Sequence, residues 1–126
     1  MKQIAVILWT SDGYDGASWE DDVEISNKDY RRIINLAKKY EFDPSETYEF
    51  GFENYDVFEY ESFTEYLSEN APEVDKRLEK KTRKPIEESF EGCNNEETNL
   101  DYDIDNYSTG YYINLEWLVK VLKKQQ

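Results

Sequence analysis

Glu61, Glu65 and Glu69 recur every four residues, and Asp101, Asp103 and Asp105 recur every two. At 100° per residue the first set forms one stripe on a helix. On a strand the second set shares a face, with neighbouring carboxylates about 6–7 Å apart from the rise per residue. Carboxylates in rows can hold a hard cation, move protons, or present a fixed negative surface to a basic partner. The residues around them decide which.

Cation binding fits poorly. An EF-hand loop reads D-x-[DN]-x-[DN]-G-x₅-E. Starting at Asp101 puts Asn106 at the glycine and Tyr112 at the closing acid. Starting at Asp105 places Gly110 and Glu116 correctly but puts Tyr107 and Thr109 at ligand positions. The stretch from Asp12 to Asp22 has Gly13 where a ligand is needed. No metal or cofactor is expected, and a small calcium-binding or carboxylate-based module is kept only as an alternative.

Catalysis fits no better. The chain has no histidine, so Ser-His-Asp and Cys-His sites are excluded. Its single Cys93 excludes an internal disulfide and a multi-cysteine zinc site, and a lone thiol suits a reducing, cytoplasmic setting. There is no G-x-x-x-x-G-K-[ST] and no G-x-G-x-x-G, and no acid lies in an apolar context that would raise its pKa. No catalytic residue is assigned.

A negative surface remains. There are 29 acids against 15 bases in 126 residues, a net charge of -14. The signs are segregated: 27 of the 29 acids fall in three blocks free of Lys and Arg, at 3–27, 40–75 and 85–119. Such a chain repels nucleic acid and anionic membrane, and complements a basic protein. The aspartate row has Tyr102, Tyr107, Tyr111 and Tyr112 nearby, so a row of charge with aromatic neighbours can stand in for a nucleic-acid backbone. The candidate partner-binding residues are therefore Glu61, Glu65, Glu69, Asp101, Asp103, Asp105, Tyr102 and Tyr107. A second cluster, Lys76-Arg77, Lys80-Lys81 and Arg83-Lys84, reads as solvated helix surface or as a contact for the acidic body of a second copy.

These residues need a scaffold. Leu, Ile, Val and Phe make up 28 of 126 residues, or 22%, just above the level at which a highly charged chain fails to fold. Eleven Tyr and three Trp add the missing buried area. Residues 4–9 are a short apolar run, too short for a membrane span, and read as a buried strand. After the turn-rich stretch 11–18, Val23 and Ile25 share one face with acids opposite, which predicts an antiparallel hairpin.

Ser26 and Asp29 mark a helix start, followed by Tyr30, Ile33, Ile34 and Ala37 at helical spacing up to Tyr40. Tyr48, Phe50 and Phe52 alternate as a strand, as do Leu100, Tyr102 and Ile104. Residues 57–61 are ambiguous, and Phe63, Tyr66 and Leu67 are helical to Asn70. Pro72 starts a helix over about 72–84, with only Val74 and Leu78 as core candidates. That thin stripe predicts a protruding arm held by Glu73/Arg77 and Glu79/Arg83 pairs, stopped or kinked at Pro85. Residues 106–110 read as a turn, 111–113 as a short strand, and Asn114 as the cap of a last helix.

The expectation is one α+β domain: a small antiparallel sheet, made of the N-terminal hairpin and later strands, packed with amphipathic helices. Its expected function is non-catalytic inhibition of a basic, nucleic-acid-handling partner, as by phage anti-restriction or anti-CRISPR proteins. Immunity proteins that neutralise nuclease toxins are the alternative of similar charge and size.

Overall fold

A computed structural model describes residues 1–11, 16–40, 54–91 and 107–124. Strand β1 (Lys2–Ser11) pairs antiparallel with β2 (Gly16–Ile25) in a hairpin, and on its other side with β3 (Ser108–Ile113), giving the order β2-β1-β3. The helices are α1 (Asn27–Lys39), α2 (Asn54–Asn70), α3 (Pro72–Glu91) and α4 (Leu115–Lys124). The expected α+β class and the N-terminal hairpin are both present.

Central β1 is buried on both faces, which is why its sequence is a continuous apolar run. Ile4, Val6 and Leu8 face one side and Ile7 the other, all at most 1% exposed. The register sets Ile4 opposite Val23, Lys2 opposite Ile25, Val6 opposite Ile113 and Leu8 opposite Tyr111, so the buried residues of the two flanking strands lie on the same face as Ile4, Val6 and Leu8. On β2 the opposite face carries Glu20, Asp22 and Glu24, all exposed.

Ser26 caps α1 as its position predicts, its Oγ accepting from the Asp29 N–H at 3.1 Å. Asn114 caps α4, its Oδ1 accepting from the Trp117 N–H at 3.2 Å, with Leu115, Leu118, Val119 and Leu122 buried beneath. Residues 57–61 are helical, because α2 begins at Asn54. Strand β3 begins at Ser108, so much of the expected 106–110 turn is strand: its ladder with β1 extends to Ser11. The expected strands at 48–52 and 100–104 lie outside the described residues.

Helix α3 differs most from expectation. The stretch 72–84 is not a protruding arm. Val74, Leu78, Thr82 and Ile86 form a buried row that packs against α2 and the sheet. Thr82 escapes an apolar count because its hydroxyl satisfies itself inside the helix, donating to the Leu78 carbonyl at 2.9 Å. Pro85 does not stop the helix, which continues to Glu91. It removes one backbone bond, to the Lys81 carbonyl, and buried Ile86 follows it directly.

The expected ion pairs are also replaced. Arg77 reaches across to α1 and grips Asp29 through two nitrogens at 2.7 and 2.8 Å, instead of pairing with Glu73. Arg83 pairs with Glu87 at 2.9 Å, instead of Glu79.

The hydrogen bonds from Arg77 hold the Asp29 carboxyl below the ordinary aspartate range, outweighing the upward push of burial; the charges of Lys81 and Lys28 help. A lowered folded pKa stabilises fully above the unfolded value near 3.9, and that contribution is lost as pH falls through the folded value. Arg77→Gln is therefore expected to lower stability at neutral pH, with the gap from wild type narrowing below about pH 4. Urea unfolding across this range checks it. A gap that stays constant down to about pH 3 would show that the pair is not what Arg77 contributes. Arg77 is half-exposed, so solvent screens part of the effect.

Candidate interaction groove at the sheet edge

Among the described residues strand β3 is an edge of the sheet, and its alternation decides what that edge offers. The Asn114 N–H donates to the Ala5 carbonyl at 3.0 Å. With the register this directs the backbone groups of residues 108, 110 and 112 to β1, and those of Thr109, Tyr111 and Ile113 outward. Helix α2 occupies one outward position: the Ile113 N–H donates to Thr64 Oγ1 at 3.1 Å. Among the described residues nothing bonds the outward N–H groups of Thr109 and Tyr111.

That open edge lies in a groove of about 520 Å³ between α2, α3 and the strand. Glu61 and Glu65 line it from α2, and Asp75 and Glu79 from α3. Thr64, Ser68, Thr82 and Thr109 add hydroxyls, and Arg83, which pairs with Glu87 and donates to Thr109 Oγ1 at 3.3 Å, is the only base among the described lining residues. Small-molecule sites of this size are lined mostly by apolar groups with a few polar ones, whereas eight of the fourteen described lining residues here carry a carboxylate or an aliphatic hydroxyl. Among the described residues no three His, Cys, Asp or Glu side chains are placed to hold a metal ion together. The acids surround the groove without converging on a point.

Two tyrosines register this field. The Tyr111 hydroxyl donates to Asp75 Oδ1 at 2.6 Å. Burial raises its pKa, and the Asp75 hydrogen bond and the Asp75 and Glu79 charges raise it further, so it stays a donor. Tyr112 is also raised, by burial and then by the charges of Glu61 and Glu65. Trp9 stacks on Tyr112 with ring centroids 5.8 Å apart, over Gly110. A Cβ at Gly110 would sit 2.7 Å from the indole, so only glycine admits this floor. The Trp9 Nε1 is buried with no acceptor among the described residues.

The sequence-derived candidates separate. Glu61 and Glu65 line the groove together, whereas Glu69, one turn farther on, is exposed and off the lining. Tyr107 packs edge-on against Phe90 at 5.0 Å, also off the lining. Asp101, Tyr102, Asp103 and Asp105 lie outside the described residues.

Asp75 and Glu79 were missed as site residues. Their one visible signal was i, i+4 spacing on the opposite side of α3 from its lysines, which the arm reading obscured. The row Glu20, Asp22 and Glu24 on the open face of β2 provides a described strand row of acids.

No helix among the described residues is long and apolar enough to cross a membrane. No protein-family model, no curated protein and no solved structure matches this chain.

Proposed function

We propose that this chain is a non-catalytic binding protein that uses its acidic groove to engage and inhibit a basic, nucleic-acid-handling protein. The observation that carries this reading is that Glu61 and Glu65 of α2 and Asp75 and Glu79 of α3 line one groove, whose one base among the described residues is already paired. Acids arranged this way steer a basic partner and raise its association rate. A site that binds nucleic acid directly would need the opposite sign. Phage-type inhibitors of restriction or CRISPR nucleases are the functional class in view, with immunity proteins against nuclease toxins beside them.

The test is inhibition of DNA cleavage. The purified chain is titrated into a panel of restriction, CRISPR and toxin nucleases at about 50 mM and about 200 mM salt. Potency against at least one enzyme should fall tenfold or more at the higher salt. The combined variant Glu61→Lys, Glu65→Lys and Glu79→Lys should lose at least tenfold at low salt. All three residues are exposed, so the fold should survive. No inhibition across the panel, or inhibition untouched by charge reversal, would sink the proposal.

A further inference from the structure

We infer that the open edge of β3 takes an extended, lysine- or arginine-bearing segment of the partner as an added strand, which rests on the acidic-binder reading above and gives it a recognition mode. An edge strand presents a row of unpaired backbone groups, and proteins normally blunt such edges with charge, a bulge or a covering element. The two edges of this sheet are treated differently.

On β2 the outward positions are Ser18, Glu20, Asp22 and Glu24, since the residues between them face β1. Three of the four carry a negative side chain, and Lys81 Nζ already donates to the Glu24 carbonyl. That edge is blunted. On β3, α2 covers the Ile113 position through Thr64, and Arg83 Nη1 donates to the Thr109 hydroxyl at 3.3 Å, while the outward backbone groups of Thr109 and of the buried Tyr111 keep no partner among the described residues.

Two open residues of one register, about 6–7 Å apart, can exchange backbone hydrogen bonds with a segment of about three residues. This is recognition by strand addition, in which the main chain gives affinity and the flanking pockets give specificity. The flanks here are Glu61 and Glu65 on one side and Asp75 and Glu79 on the other, so the incoming side chains must be basic. A second copy of this chain is a poor occupant. Its own sheet edges carry Glu20 and Asp22 on β2 and the acidic groove on β3, and like charges would meet.

The probe is a labelled, end-capped peptide of eight residues alternating lysine and valine, with one analogue N-methylated at its four central amides. Methylation removes strand hydrogen bonds and leaves the charge. The parent should bind. The methylated analogue should bind at least tenfold more weakly, because whichever edge it turns to β3 has lost its central donors.

With Thr109→Val as the control for the lost Arg83 contact, Thr109→Pro removes an outward donor without touching the ladder to β1, a position where an edge strand tolerates proline. It should weaken the parent peptide at least tenfold. In the unaltered protein, amide exchange at Thr109 and Tyr111 should slow at least tenfold on peptide addition, while Gly110, already bonded to β1, should not change. The methylated analogue and the exchange measurement give a result even if the proline variant misfolds.

Absence of peptide binding, or equal affinity for the parent and the methylated analogue, would overturn strand addition. If nuclease inhibition still disappears on charge reversal of the groove, the acidic-binder reading stands without it. If charge reversal also changes nothing, both readings fall.

Discussion

Leu78→Ala is expected to lower the free energy of unfolding by about 2–5 kcal/mol. Leu78 is fully buried between its helix neighbours Val74 and Thr82, in the row that packs α3 against α2 and the sheet. Truncation removes transfer energy and leaves a cavity that the surrounding structure fills only in part. A domain of this size is stable by roughly 5–15 kcal/mol, so this one change consumes a large share. Urea denaturation monitored by circular dichroism measures it, with Lys80→Ala as the exposed comparison, expected within about 0.5 kcal/mol of wild type. A protruding arm predicts something different: a loss below about 1 kcal/mol at Leu78, reflecting helix propensity alone. Such a small loss would contradict the packed α3 and, with it, the α3 wall of the groove.

Phe63→Ala is expected to cost about 3–5 kcal/mol. Phe63 is fully buried on α2, and Tyr40 at the end of α1 meets it edge-on at 5.5 Å and 74°. An aromatic pair in this geometry adds about 0.5–1.5 kcal/mol beyond its buried area, so Phe63→Leu should lose less than the alanine variant but more than a purely aliphatic exchange. Near-ultraviolet circular dichroism should report the loss of Tyr40 asymmetry in both variants. The same helix turns Glu61 and Glu65 to the groove, so a destabilised α2 should also release the floor residues Tyr112 and Trp9. If Phe63→Ala unfolds with the wild-type midpoint, α2 is not anchored where this structure has it.

Much of the fold was legible because it rests on local chemistry. Ser26 and Asn114 cap helices from fixed positions before apolar residues at helical spacing, and both do so here. The hairpin followed from period-two alternation ending in Val23 and Ile25. Misread elements share a cause: their identity depends on a distant neighbour. In α3, Val74 and Leu78 stand out as apolar, but Thr82 is buried through an internal hydrogen bond, and Ile86 lies beyond a proline that local rules treat as a stop. Arg77 finds Asp29 across 48 residues instead of Glu73 within its own helix, because a buried carboxylate rewards a bidentate partner more than an exposed one does.

The sequence by itself determined the sign of the charge, its concentration into base-free blocks, the absence of imidazole chemistry and the α+β class. These follow from composition and from periods of 2 and 3.6 residues, which any chain displays without its neighbours. Only the tertiary structure decided which acids meet. Glu61 and Glu65 are joined not by Glu69 of their own stripe but by Asp75 and Glu79 of the next helix, around a strand some 40 residues farther on. The physical reason is packing: Leu78 and Phe63, both buried without remainder, fix how α2 and α3 turn their polar sides, and that rotation builds the groove.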